Sequence, residues 1–154
     1  MNHQGMMHHS MVQPTWVMPD PNGQKLYIAG NGSNEIIEVD INDWSITNRI
    51  DTGKGPYNVD VSPNGKYLIA TLKGEGKTAI WDLGKKRKSL ISNSSSVSHG
   101  VVISPDSKYA FVSVEGKGGE PGLVDIIDIK KSKIVSSVNI GKQAGGIAFW
   151  KLEQ

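Results

Sequence analysis

Short apolar runs separated by clusters of Pro, Asn, Asp, Gly and Ser predict β-strands joined by tight turns along nearly the whole chain. One pattern recurs three times: an apolar run, a Pro-Asx turn, and a second apolar run opening on Lys followed by an aromatic residue or Leu. It reads TWVMPDPNGQKLYIAGN from Thr15, YNVDVSPNGKYLIATLK from Tyr57 and HGVVISPDSKYAFVSVE from His99. Asn22, Asn64 and Asp106 are each 42 residues apart.

Every copy carries four strand signals. They fall at 16–18, 25–29, 35–41 and 45–50, at 58–61, 66–71, 78–83 and 88–92, and at 101–103, 108–113, 123–129 and 133–140. A repeat of about forty residues built from four short antiparallel strands marks a β-propeller blade. The expected organisation is a Met/His-rich leader at 1–14 and blades at 15–56, 57–98 and 99–144. The third strands end in EVDI, IWDL and IIDI, so Asp40, Asp82 and Asp128 stand where a strand gives way to a turn. A carboxylate there accepts backbone N–H bonds and closes the turn. Their spacing is 42 and then 46, which places an insertion in the Gly-rich loop 114–122 of the third copy.

Residues 145–150, GGIAFW, align with HGVVIS at 99–104 and predict the first strand of a further blade. The fold class is therefore all-β, with three four-stranded meanders plus one extra strand in an incomplete ring, since propellers close with four to eight blades. The expected partners are the remaining propeller blades or a second copy of the chain. Alone, the chain should dimerise, aggregate or stay partly disordered through its uncovered blade faces.

The segments Tyr27-Ile28-Ala29-Gly30-Asn31, Tyr67-Leu68-Ile69-Ala70-Thr71 and Tyr109-Ala110-Phe111-Val112-Ser113 look like degenerate YVTN motifs. Ser62 to Lys66 and Ser104 to Lys108 supply the Ser-Pro-Asx element that precedes two of them. The chain thus resembles YVTN-type β-propellers, a group similar in repeat to the propellers of cytochrome-type nitrite reductase and nitrous-oxide reductase. The resemblance spans about Thr15 to Trp150 and implies export, to the periplasm or outside the cell. It also implies a histidine role: Ser98-His99-Gly100-Val101 is similar to the Pro-His-Gly-Val element of redox propellers, with Ser98 in place of proline.

Composition narrows the chemistry. With 17 Lys and Arg against 15 Asp and Glu the net charge is +2, too small to argue for nucleic acid. No apolar run reaches the length of a membrane helix, so no membrane insertion is expected. Cysteine is absent, which excludes disulfides, thiolate nucleophiles and Fe–S ligation. No nucleophile elbow, zinc-protease motif or phosphate loop is present, and GKGPY and GEGK read as turns between strands. Glu35 and Glu38 are three apart on a strand and point to opposite faces. The function expected is a non-enzymatic ligand-binding or protein-interaction scaffold.

In a propeller the links entering each first strand and the hairpins after each second strand surround one mouth of the channel. The repeat places Thr15, Tyr57, His99 and Gly145 in equivalent entering links, and Asn31, Lys73 and Glu115 in equivalent hairpins. His99, Tyr57, Thr15, Asn31, Lys73 and Glu115 are the candidate ligand-facing set. The alternative is a redox propeller binding copper or haem, with His8, His9 and His99 as metal ligands and leader methionines contributing thioethers. Lys85 to Lys88 reads as a solvated basic turn. Trp16, Trp44, Trp81 and Trp150 read as packing residues between blades, with ligand stacking a second role for Trp150.

Overall fold

The computed structural model describes residues 11–151, which hold twelve β-strands and no helix. Blade 1 comprises β1 (Pro14–Pro19), β2 (Lys25–Gly30), β3 (Glu35–Asp40) and β4 (Ile46–Asp51). Blade 2 comprises β5 (Pro56–Val61), β6 (Tyr67–Leu72), β7 (Lys77–Asp82) and β8 (Arg87–Ser92). Blade 3 comprises β9 (Val97–Ile103), β10 (Tyr109–Glu115), β11 (Gly122–Asp128) and β12 (Lys133–Gly141). Each is a four-stranded antiparallel sheet in sequence order. The first strands β1, β5 and β9 adjoin one another, so the blades fan outward from a common axis. The described residues form a three-bladed propeller arc.

Local chemistry explains the turns. Ser62 Oγ accepts the N–H of Tyr67 at 2.9 Å and donates to Asn64 Oδ1 at 2.7 Å, while Asn64 Oδ1 accepts the N–H of Lys66 at 3.0 Å. Ser104, Asp106, Lys108 and Tyr109 repeat this set 42 residues later. In blade 1 a single residue does both jobs: Asp20 Oδ1 accepts from Gln24 and Lys25 at 2.7 and 2.9 Å. The left-handed turn position is Gly23, Gly65 and Ser107, with φ of 66, 69 and 60°. Ser107 takes the strained conformation without being glycine, and its hydroxyl accepts the Asn64 N–H across the blade boundary at 3.2 Å. Asp40, Asp82 and Asp128 close their turns as expected, accepting from the backbone of Asn42, Lys85 and Lys131.

Apolar side chains collect between blades. Tyr27, Ala29 and Ile36 of blade 1 meet Val59, Val61, Leu68, Ala70 and Trp81 of blade 2. Ile69, Ile80 and Ile91 of blade 2 meet Val101, Ile103, Val112, Val114 and Ile127 of blade 3. The second junction is also tied by polar bonds. Asp125, fully buried, accepts from Asn93 Nδ2, the Ser94 N–H and Ser137 Oγ at 3.0, 2.8 and 2.6 Å. Asn93 Oδ1 in turn accepts from Thr78 and Ser98, locking the link from blade 2 to blade 3.

Four expectations change. The segment 145–150 forms no strand ladder, although Ile147 rests against Gly100 of β9. Tyr27 does not share the position of Tyr67 and Tyr109. Those two stand opposite Asp82 and Asp128, whereas Lys25 stands opposite Asp40 and Tyr27 stands opposite Glu38. Of the four tryptophans only Trp81 packs in the core; Trp44 and Trp150 are 68% and 89% exposed, and Trp16 is half exposed. The basic run is not one solvated turn, because Lys88 lies on β8, stacks its ammonium 5.6 Å from the Trp81 ring and donates to the Thr52 carbonyl.

Asp60 of β5 bridges blades 2 and 3: its Oδ2 accepts the Ile103 N–H at 2.8 Å, and its Oδ1 accepts the Val61 N–H at 2.8 Å. Burial outweighs both bonds and pushes its carboxyl up from 3.8 to about 6. The folded value lies above the unfolded one, so the proton is favoured in the fold, and this group's contribution falls as pH rises from 3.8 towards 6. Asp60→Asn carries no titrating proton. Comparing its unfolding free energy with the parent's, the difference should move in the variant's favour by about 2 kcal/mol between roughly pH 4.5 and pH 7.5. A pH-independent difference would show that Asp60 titrates at its ordinary value.

Candidate functional site at the channel mouth

The end of the arc expected to form the mouth carries one repeated device, a hydroxyl that bonds a carbonyl of the chain segment that follows its blade. Thr71 Oγ1 on β6 accepts the Asn58 N–H at 3.1 Å and donates to the His99 carbonyl at 2.6 Å. Ser113 Oγ on β10 accepts the Gly100 N–H at 2.8 Å and donates to the Gly145 carbonyl. Blade 1 has Ala29 at that place, and Thr15 of β1 supplies the hydroxyl instead, donating to the Tyr57 carbonyl at 2.7 Å. The carbonyls of Tyr57, His99 and Gly145 are thus held at equivalent points of successive blade positions. Residues 145–150 accordingly begin where the inner strand of a fourth blade would begin.

The hairpin ends share a register as well. Asn31 and Lys73 donate their backbone N–H to the carbonyls of Gln13 and Gly55 at 3.1 and 2.9 Å, and Glu115 stands opposite Val97. Side chains on this fixed backbone diverge. Asn31 Nδ2 reaches the Pro56 carbonyl at 3.3 Å and Thr15 holds Tyr57, so both brace the blade 1 to blade 2 link. Tyr57, Lys73, His99 and Glu115 form one cluster across blades 2 and 3. The Lys73 ammonium sits 4.4 Å from the centre of the Tyr57 ring and 4.0 Å from Glu115 Oε2. The Tyr57 and His99 rings lie 4.4 Å apart, tilted by 54°.

Burial holds the His99 imidazole below its ordinary value of 6.5, and the Lys73 ammonium adds to this; Glu115 and the bond to the Gly145 backbone oppose it. His99 is therefore neutral at neutral pH, tied by one side to Gly145 and flanked by a cation, an anion and a phenol. Such a cluster presents donors, acceptors and an aromatic face together. Asn58, next to Tyr57 on β5, adds a buried Oδ1 with no hydrogen-bond partner among the described residues.

The six expected mouth residues thus separate into two bracing residues, Thr15 and Asn31, and a four-residue cluster. His8 and His9, with His3, Met1, Met6 and Met7, lie outside the described residues, and Met11 is exposed. Among the described residues no group of three or more His, Cys, Asp or Glu is placed to hold a metal ion. Glu35 and Glu38 serve separate partners, Arg49 and the Lys25–Thr47 pair. Thr71, Ser113 and Asn58 stand outside the expected mouth set, although Thr71 and Ser113 carry the 42-residue spacing.

No family model and no curated protein sequence matches this chain. Its fold is that of β-propellers. It is similar to hydrazine synthase from Kuenenia stuttgartiensis, with a TM-score of 0.80 and 22% identity, over 93% of this chain and 40% of that one. It is similar also to the WD40 repeats of RRP9, with a TM-score of 0.73, 12% identity and coverage of 86% and 40%. U3-55K gives a TM-score of 0.73 and 11% identity, over 86% of this chain and 41% of that one. The chain spans about 40% of the length of these structures.

The electrostatics of the cluster can be read directly. In an NMR pH titration the His99 imidazole should ionise below 6.5, with Lys73→Met raising its midpoint and Glu115→Gln lowering it. Movement in the opposite sense for either variant would contradict the arrangement.

Proposed function

We propose that the chain is a non-enzymatic arc of a YVTN-type β-propeller that acts as a binding scaffold. It takes a polar ligand or a segment of a partner protein at the mouth formed by Tyr57, Lys73, His99 and Glu115. One observation carries the reading: the backbone at the mouth repeats blade after blade, while the side chains placed there differ and converge as one mixed cluster. Where a scaffold repeats and its loops do not, the loops carry the specificity. Propellers serve widely as interaction platforms, which agrees with the absence of any catalytic motif in the sequence. Further propeller blades, or a second copy, complete the ring in this reading, and the family resemblance adds an exported location.

The neutral His99 imidazole favours one second reading, a copper or haem ligand. Titration of the full chain with Cu(I), Cu(II) or haem decides it: stoichiometric uptake weakened by His99→Ala supports it, and no uptake removes it.

The binding reading is tested by screening a library of small polar compounds and short peptides against labelled protein by NMR. Shifts should gather on Tyr57, Lys73, His99 and Glu115. The triple substitution of Lys73, His99 and Glu115 by Ala should weaken those ligands at least tenfold, on the scale of losing about 1.4 kcal/mol or more. Ligands that map elsewhere, or that bind the triple variant equally well, would refute it.

A further inference from the structure

The antiparallel order puts the turns after the first strands and after the third strands at the end opposite the mouth. There the turns between third and fourth strands share a backbone: Trp44, Lys86 and Ser132 hold the same left-handed position, with φ of 61, 51 and 51°. Their side chains do not share a charge. Blade 1 carries Asn42, Asp43 and Trp44, whereas blade 2 carries Lys85, Lys86 and Arg87 and blade 3 carries Lys130 and Lys131. The turn geometry therefore does not call for the cations, and of the basic run only Lys88 reaches the Trp81 ring and the Thr52 carbonyl.

These cations rim a groove between blades 2 and 3. A cavity of about 360 Å³ is lined by Lys66, Lys108, Lys130, Tyr67 and Tyr109. A smaller one of about 60 Å³, lined by Lys85, Arg87 and Ile129, continues from it past Tyr67 and Lys130, which border both. Five cations line the two, against the three carboxylates of Asp82, Asp106 and Asp128, an excess equal to the +2 of the whole chain. Those carboxylates are committed: each accepts a turn N–H, and they pair with Lys85, Lys108 and Lys131 at 3.5, 3.1 and 3.1 Å. Lys66, Arg87 and Lys130 make no ion pair among the described residues. Tyr67 is half-buried against the core and Tyr109 is 38% exposed, so both offer ring surface to the groove. Both blades that build it lie within the described residues, and completion of the ring by any further blades leaves it as it is.

We propose that this groove docks an acidic segment of a partner protein, with Lys66, Arg87 and Lys130 taking its carboxylates and Tyr67 and Tyr109 its apolar side chains. Three observations select this occupant over another anion. Asp82, Asp106 and Asp128 interrupt the cations, which repels a continuous phosphate chain but not a peptide that sets single carboxylates against Lys and Arg. The cations border a recess between two blades, whereas an anionic membrane is met by basic residues on an open face. The tyrosines add an apolar wall with a polar tip, and the volume sits at the lower end of the roughly 300–1,000 Å³ of ligand pockets, which admits a few side chains and no folded domain. The groove lies at the opposite end from Tyr57, Lys73, His99 and Glu115 and is a second binding surface, independent of the mouth.

Fluorescence anisotropy with a labelled peptide of alternating Glu and Ala tests this, beside three further probes: the same peptide with Gln for Glu, a single-stranded oligonucleotide, and vesicles of phosphatidylserine and phosphatidylcholine. The Glu peptide should bind, weaken as salt rises and shift the NMR signals of Tyr67 and Tyr109, while the Gln peptide should not bind. Arg87→Glu with Lys130→Glu should weaken the Glu peptide at least about tenfold. Lys117→Glu with Lys142→Glu changes the net charge equally at the other end of blade 3 and should leave the affinity within about twofold. All four positions are exposed, so the blades should stay intact, which near-UV circular dichroism checks. The triple substitution of Lys73, His99 and Glu115 should bind the peptide as the parent does, so that failure here and failure at the mouth are told apart. No binding of the Glu peptide, equal binding of the Gln peptide, equal loss in both charge variants, or preference for the oligonucleotide or the vesicles would each overturn the proposal.

Discussion

A four-stranded blade has two apolar faces and can cover neither of them alone, and this constraint organises everything else in the chain. Blade 2 is the only one flanked on both sides within the described residues, and its sequence answers with apolar side chains on both faces: Val59, Leu68 and Ala70 towards blade 1, Ile69, Ile80 and Ile91 towards blade 3. Full burial of each valine, leucine or isoleucine among them contributes roughly 1.5–3 kcal/mol. Those contributions are realised only when a neighbour is present, so stability is shared between blades and not held within one.

Stacking by apolar faces alone would leave the blades free to slide. The hydroxyl contacts of Thr15 and Thr71 to the next blade's carbonyls fix the radial position, and Asp60, Ser107 and the Asn93–Asp125 network fix the second junction further. That rigidity is what lets Tyr57 and Lys73 of one blade meet His99 and Glu115 of the next. The mouth cluster is a product of blade docking. No single repeat contains it.

How far the sequence could be read follows from the range of each interaction. The turns were legible because Ser62, Asn64, Asp82 and Asp128 act on backbone two to five residues away. Strand order followed from the spacing of those turns, while β1, β5 and β9 open at Pro14, Pro56 and Val97, one or two residues before the expected blade starts. The equivalence of Asn31 with Lys73, and of Tyr57 with His99, was also legible, because equivalent residues of a repeat sit at equivalent backbone points. Contacts between blades were not: nothing in the spacing says that Thr15 replaces the hydroxyl missing at Ala29, or that Lys73 lies over Tyr57. Tyr27 misled because an aromatic near the right place was read as the repeat's tyrosine, when its ladder partner Glu38 sets it two residues on. Trp44 misled through hydrophobicity, since a left-handed turn with φ of 61° points it away from the core.

The account stands on the claim that the outer face of blade 1 lacks the cover that blades 2 and 3 give each other. Amide hydrogen exchange of the chain at low concentration, resolved to single strands, measures this directly. The account predicts that β1 amides such as Val17 and Met18 exchange far faster than Val59 of β5 and Val101 of β9. Equal protection of β1 and β5 would contradict it.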